Sequence, residues 1–250
     1  MQLHLSTWME VEKYLETSKT ILLPIGSTEQ HGPTGLMGTD AVCPEAVAIA
    51  AGARCGTLVG PTFSIGIAQH HLGFAGTMTL RPSTLIAVLL DAVTSLSKHG
   101  FENFYFLNGH GGNMGTLAAA FSEIYAERSL SQDENAHKRR LRCKQRNWWD
   151  GARFRALSKE LYGADEGSHA TCSEISLGNY LYPDHVKSAE LSPEIAPRGP
   201  IYDADDYRTR FPDGRIGSRP SLCSVADGKR IFDAAVADIT EDIGNSFSAG

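Results

Sequence analysis

The chain has 250 residues, of which 42% are hydrophobic and 21% are charged, and its formal net charge is −6. We expect one globular domain over residues 1–250, with a large buried core. The acidic balance argues against nucleic-acid binding, so the basic run His137–Arg146 is interpreted as a solvated face. No apolar stretch approaches the about 20 residues that a membrane span needs. The five scattered cysteines form no Cys-x-x-Cys pair, which predicts a cytoplasmic protein without disulfides.

Short apolar runs alternate with amphipathic stretches along the chain. Strands are predicted, in chain order, over Ile21–Gly26, Thr57–Gly60, Phe101–Leu107 and Leu141–Trp148. Helices are predicted after the capping box at Thr7, from Pro44 to Gly52, from Ser83 to Gly100, over Met114–Arg128, over Ser173–Tyr182 and from Asp227 onward. This alternation predicts an α/β three-layer sandwich with a mainly parallel sheet. Ligands of such sheets bind outside the carboxyl ends of the strands.

The least regular stretch of the sequence is 190–220, which is rich in proline. A long irregular segment inside a domain is usually functional or part of an interface. We therefore expect this stretch to be an excursion that lies at a subunit contact or over a pocket mouth.

Three potential ligand side chains follow the first predicted strand. Glu29 and His31 are two residues apart, so they face the same side of an extended segment, and Asp40 follows after a glycine-rich loop. Two carboxylates and an imidazole form a ligand set for a divalent metal. A polar turn in which Glu29 acts as a cap is the alternative that the spacing leaves open.

Two further segments carry histidines. The glycine-rich loop Asn108–Asn113 follows the third predicted strand and has His110 near its centre. It lacks the Lys-Ser/Thr pair of a phosphate-binding P-loop, which favours His110 as a metal ligand or proton carrier. The last segment carries His169 and Glu174, for which helix capping by Ser168 or His169 is the competing explanation.

Together these segments resemble the creatininase family of metal-dependent amidohydrolases, over about residues 22–186. The motifs that carry the resemblance are Leu23–Gly32, Gly38–Asp40, His71–Thr77, Asn108–Asn113, and His169-Ala170 followed by Glu174. The resemblance implies an α/β sandwich and a homo-oligomer, often a hexamer. It also implies a pair of divalent ions per chain, which are Zn²⁺, Mn²⁺ or Fe²⁺.

The resemblance also assigns roles to individual residues. It implies metal-ligand roles for Glu29, His31, Asp40 and His110. Asp40 would bridge the ions, Glu174 would complete the second site, and His169 would lie at the reacting centre and give a proton to the leaving nitrogen. Supporting roles around the substrate or the ligands are implied for Gln30, Gly76 and Asn108.

The implied reaction is hydrolysis of a C–N amide bond by a metal-bridging hydroxide. Members that hydrolyse creatinine carry a glutamate where this chain has Gly112, and Thr34 and Thr171-Cys172 also depart from the family pattern. These departures argue against creatinine as the substrate. Cyclic amides, formamides and short peptides are the remaining classes of small-molecule amide substrate.

Two other functions stay open at this point. A mononuclear Fe(II) enzyme would use two histidines and a carboxylate as a facial triad. A catalytically silent metal-binding scaffold would keep the ligands without the reaction. His70 and His71 are interpreted as structural, whereas Trp148 and Trp149 could serve in the core, at a subunit contact or over a substrate.

Overall fold

A parallel sheet lies at the centre of the fold in the computed structural model, which describes residues 1–132 and 140–247. Its strands are β1 (Thr20–Ile25), β2 (Leu58–Val59), β3 (Asn103–Asn108) and β4 (Arg142–Asn147). The order across the sheet is β2-β1-β3-β4, and each neighbouring pair is parallel. The parallel sheet predicted from the sequence is confirmed.

Helices cover both faces of this sheet. The helices of the described ranges are α1 (Trp8–Leu15), α2 (Thr39–Cys55), α3 (Pro82–His99), α4 (Met114–Ser129), α5 (Ala152–Leu161), α6 (Cys172–Leu181), α7 (Ala204–Arg210) and α8 (Val225–Ser246). Of these, α7 packs in a small cluster of its own, away from the sheet faces. Successive side chains of a strand point to opposite faces. Leu22 of β1 accordingly packs with α2, α5, α6 and α8, while Ile21 and Leu23 pack with α1, α3 and α4. The predicted α/β sandwich is confirmed.

The start of α2 differs from the prediction, which placed this helix from Pro44 to Gly52. Pro44 lies inside the helix and has no N–H, so the carbonyl of Asp40 lacks its usual donor one turn later. That carbonyl packs against glycines instead: a Cβ on Gly26 would lie 1.9 Å from its oxygen, and one on Gly109 would lie 2.0 Å away. Tertiary packing therefore fixes where α2 begins, and it brings Asp40 to the end of the sheet.

Other helix boundaries were also wrong or missed. α3 begins at Pro82 after the N-cap Arg81, not at a Ser83 cap, and α5 was not predicted. The stretch 190–220 contains α7, whose N-cap Asp203 accepts the backbone N–H of Asp206. This helix is too short to show an apolar periodicity.

The sequence also predicts a solvated basic face and no membrane span. The basic run predicted to form a solvated face lies partly outside the described residues, because residues 133–139 belong to neither described range. Among the helices that the structure describes, none is long and apolar enough to cross a membrane.

The carboxyl ends of β1, β3 and β4 are tied together at one edge of the sheet. The Gly109 N–H donates to the Ile25 carbonyl at 2.8 Å, and the Trp148 N–H donates to the Asn108 carbonyl at 3.1 Å. The Asn108 side chain also donates to Asn147 Oδ1 at 2.8 Å. The polar segments that follow β1 and β3 therefore meet at this edge, as the rule for parallel sheets predicts.

Candidate metal centre

Glu29, Asp40 and His110 meet in a buried cluster beyond the ends of β1 and β3. His110 Nδ1 lies 2.7 Å from Asp40 Oδ2, and its Nε2 lies 3.3 Å from Glu29 Oε2. His110 Nε2 is also 2.8 Å from the Ile67 carbonyl, which can only accept a hydrogen bond. Nε2 therefore carries a proton, and Nδ1 is the ring atom that can bind a metal.

His31 completes a second group around the same carboxylate. Its Nε2 lies 3.0 Å from Asp40 Oδ1 and 3.9 Å from Glu174 Oε1. Its Nδ1 lies 3.1 Å from the Glu29 carbonyl, so Nδ1 donates there and Nε2 is the potential metal ligand. Asp40 thus directs one oxygen towards His31 and the other towards His110, an arrangement that suits a carboxylate shared by a pair of ions.

The oxygens of this cluster fit a bound cation. Both oxygens of Glu29 and Oδ2 of Asp40 are buried, and within the described ranges none has a partner with hydrogen-bond geometry. Leaving buried carboxylate oxygens unpaired is costly, and a cation offsets that cost. Three overlapping groups of residues place their potential ligand atoms within 4.8 Å of one another. They are Glu29, His31 and Asp40; His31, His169 and Glu174; and Glu29, His71 and His169.

The electrostatics of the metal-free cluster centre on Asp40. Burial by itself lowers the pKa of His31, but the Asp40 carboxylate raises this pKa overall to about 10. Burial opposes protonation of His110 in the same way, yet Glu29 and Asp40 raise its pKa to about 9. Burial raises the pKa of Glu29, and the nearby Asp40 raises it further. Both imidazoles therefore hold protons that a metal ion must displace.

Glu174 has two sets of contacts. Thr171 is the N-cap of α6, and it forms a capping box in which the Glu174 carboxylate accepts the Thr171 N–H. Capping by Ser168 or His169 is therefore wrong. A carboxylate has about four lone-pair positions, so the cap leaves capacity for a cation. Burial and the nearby Asp40 raise the pKa of Glu174 to about 7, although His31 opposes this shift.

His71 is the residue of the cluster that sequence reasoning set aside. It is buried, and its Nε2 lies 3.0 Å from Glu29 Oε1. The sequence interpretation did not place His71 beside the cluster, where its ring contacts Glu29. The available signal was its position at the start of a family motif. The ring of His70 packs on that of His71 at 4.2 Å, and both residues line the cavity over the cluster.

Of the three residues with expected supporting roles, Gln30 and Asn108 are buried beside the histidines, whereas Gly76 is exposed. Gln30 is buried and contacts both His71 and His169. Asn108 is buried and donates from its side chain to the His110 carbonyl at 2.6 Å, which holds the loop of that histidine. Gly76 lies in an exposed turn, where its φ of 90° suits glycine, and it is not among the residues that line the cavity over the cluster.

A cavity of about 570 Å³ opens onto the cluster. Its lining includes Asp40, His110, His169 and Glu174 from the cluster, and Trp148, Trp149, Arg155 and Ile201 from the walls. Trp148 is only 2% exposed and packs on Phe154 at 5.1 Å, so it belongs to both the core and the wall. No cysteine of the described ranges lines this cavity.

The buried carboxylates and imidazoles under this cavity, at the end of a parallel sheet, form a ligand set that suits divalent metal ions. A family model described as creatinine amidohydrolase matches residues 4–243. The chain belongs to the creatininase family of metal-dependent amidohydrolases, which act on C–N bonds.

Individual relatives agree with this assignment. The chain is 28% identical to creatinine amidohydrolase of Pseudomonas putida over 256 residues, which cover 96% of this chain and 95% of that protein. It is 28% identical to a mycofactocin precursor peptide peptidase of Mycobacterium ulcerans over 240 residues, which cover 91% and 85%.

Solved structures extend the likeness to the whole fold. A structure described as "Creatininase Mn" superposes with a TM-score of 0.82 at 26% identity and covers 99% of both chains. A creatininase mutant described as "Zn-Zn type" gives 0.84 at 25% identity, covering 99% of this chain and 98% of that one.

Metal uptake should depend on pH in a defined direction. In the metal-free chain His31 and His110 are protonated below pKa values of about 10 and about 9. Binding must therefore release protons at pH 7, and the apparent affinity should rise as the pH rises towards 9. Calorimetric titration of Zn²⁺ in buffers of different ionisation enthalpy measures this release. Equal heats in all buffers would contradict the protonated cluster.

The two adjacent glycines after His110 provide a matched pair of variants. A Cβ on Gly112 would lie 2.4 Å from His110 Nε2 and 2.5 Å from the Ile67 carbonyl oxygen, whereas one on Gly111 would meet no atom within 4 Å. Gly112→Ala should break the His110–Ile67 bond and weaken metal binding about 10-fold or more. Gly111→Ala should bind metal like the parent chain in the same chelator competition. Equal losses in both variants would contradict this account.

Proposed function

We propose that the chain is a dinuclear metal amidohydrolase that cleaves the C–N amide bond of a small molecule. The observation that supports this most is the position of Asp40, with one oxygen towards His31 and the other towards His110. Two ligand groups that share one carboxylate suit a pair of ions better than the single ion of a facial triad. The metals in the descriptions of the structural relatives agree with this reading.

The ions would be held by side chains of this chain alone. One would take Glu29, Asp40 and His110, and the other His31, Asp40 and Glu174. Zn²⁺, Mn²⁺ and Fe²⁺ all suit mixed carboxylate and imidazole ligands. When bound, such ions supply hydroxide near neutral pH and polarise the substrate carbonyl. The backbone carbonyls of Glu29 and Ile67 hold the imidazoles in the required tautomers.

His169 would move the proton during the reaction. Its Nε2 lies 2.8 Å from the Gln30 carbonyl and donates there, which leaves Nδ1 bare at 3.9 Å from Glu29 Oε1. Burial lowers the pKa of His169 and keeps the ring neutral. A bare Nδ1 can accept the proton that the attacking water releases and then pass it to the leaving nitrogen.

The substrate would be a cyclic amide, a formamide or a short peptide rather than creatinine. Gly112 leaves no side chain at the position where creatinine-hydrolysing members carry glutamate. A cavity of about 570 Å³ is in the range that holds drug-sized ligands, so it has room for a short peptide. The similarity to a peptide peptidase supports the short-peptide class.

We further propose a cytoplasmic homo-oligomer, a hexamer by the family resemblance. The excursion 190–220 supports a contact of this kind because Ile195 and Tyr202 expose apolar surface, Tyr202 to 66%. Its Ile201 lines the cavity, which suits a position at the pocket mouth.

Glu174→Gln separates the capping role from the metal role. Glutamine keeps the capping box but removes the charge, so the fold should be retained. Metal content should fall from about two ions per chain towards one, and hydrolysis of a panel of small amides should nearly stop. Metal analysis of the purified protein, with thermal unfolding, measures both effects.

Glu10→Gln is the matched control, because Glu10 fills the same place in the capping box of Thr7 on α1. It should change neither metal content nor activity. Unchanged metal content in Glu174→Gln would remove Glu174 from the centre, and a parent chain that holds one ion would favour the mononuclear alternative.

A further inference from the structure

We infer that Gln30 is a positioning residue that sets the tautomer of His71, so that His71 turns its Nε2–H towards the metal-ligand carboxylate of Glu29 and does not itself bind metal. This inference rests on the proposed metal centre, because it assumes that Glu29 is a ligand. His71 thus has a different role from His31 and His110, which are the proposed metal ligands, although all three rings contact the same carboxylates.

The orientation of the Gln30 amide is fixed by a backbone group. The Gly32 N–H donates to Gln30 Oε1 at 2.8 Å. A backbone N–H can only donate, so this contact identifies the oxygen of the amide. The Nε2 group therefore faces the opposite side, where the histidines lie.

Gln30 Nε2 has two hydrogens for four neighbours. These are His71 Nδ1 at 2.9 Å, His169 Nε2 at 2.9 Å, the Gly214 carbonyl at 3.0 Å and Tyr207 Oη at 3.3 Å. His169 Nε2 is the partner of the buried Gln30 carbonyl at 2.8 Å, so it carries its own proton and cannot accept another. Tyr207 Oη is the most distant neighbour. The two hydrogens therefore belong to His71 Nδ1 and Gly214.

The consequence falls on the other nitrogen of His71. Because Nδ1 accepts a hydrogen bond, it carries no proton, and the proton of the ring lies on Nε2. That N–H faces Glu29 Oε1 at 3.0 Å. A donor N–H beside a ligating carboxylate orients that carboxylate and tunes its hold on the ion.

The excursion 190–220 supplies the groups that hold Gln30 in place. Tyr207 is fully buried, and its hydroxyl donates to the Gly214 carbonyl at 2.7 Å. Its ring meets that of His71 edge-on at 4.8 Å. A Cβ on Gly214 would lie 1.9 Å from Gln30 Oε1, so the chain passes closely over the amide. The excursion therefore forms one wall of the metal centre and supports the histidine that faces Glu29.

Gln30→Glu tests the inference with almost no change of shape. A carboxylate cannot donate to His71 Nδ1 but can accept from it, so Nδ1 should gain a proton in this variant. Neutron diffraction of deuterium-exchanged crystals, with and without Zn²⁺, shows directly which ring nitrogen of His71 carries the deuterium. The parent chain should carry deuterium on His71 Nε2 alone, and Gln30→Glu should carry it on Nδ1. Zinc affinity, from chelator competition, should fall about 10- to 100-fold.

Tyr207→Phe is the control, because it removes the longest contact of the amide and leaves the Gln30–His71 bond. Deuterium should stay on His71 Nε2 in that variant. Deuterium on His71 Nδ1 in the parent chain would overturn the inference, and that measurement stands even if Gln30→Glu does not fold. The tautomer is read independently of any reaction, so a parent chain that hydrolyses no amide would contradict the proposed function alone.

Discussion

The structure depends on one buried carboxylate that is shared by two imidazoles. Asp40 lies between His31 and His110 at distances of 3.0 and 2.7 Å, and it is only 4% exposed. A charge at this depth is stable only with compensating partners. In the metal-free chain these are the protonated imidazoles, whose contacts hold the pKa of Asp40 well below its usual range in spite of burial. Bound metal ions would take the place of those protons.

The backbone around the centre is arranged to keep the rings in position. His31, His110 and His169 each place one ring nitrogen against a main-chain carbonyl, at 3.1, 2.8 and 2.8 Å. Each carbonyl fixes a tautomer and leaves the other nitrogen facing the carboxylates. His71 differs, because its fixed nitrogen contacts the Gln30 side chain. Fixing one ring nitrogen thus leaves the second nitrogen of each ring facing the carboxylates, and we infer that at His71 this second nitrogen carries an N–H.

Much of this arrangement can be predicted from the amino-acid sequence alone. The strands are readable as continuous apolar runs, and because sites lie at the carboxyl ends of parallel strands, Glu29 and His110 are expected at one edge of the sheet. The start of α2 could not be predicted, because the close approach of Gly26 and Gly109 to the Asp40 carbonyl is a tertiary contact. The contact between His71 and Glu29 could not be predicted either, since the two residues are distant in the chain.

The central claim is that a pair of ions flanks the Asp40 carboxylate. Crystals of the protein grown with Zn²⁺ or Mn²⁺, with data collected on both sides of each absorption edge, test it most directly. The account predicts about two anomalous peaks per chain, one beside each Asp40 oxygen, as expected for a dinuclear centre. The His31 side should include Glu174, and the His110 side should include Glu29. A single peak, or peaks that Asp40 does not touch, would contradict it.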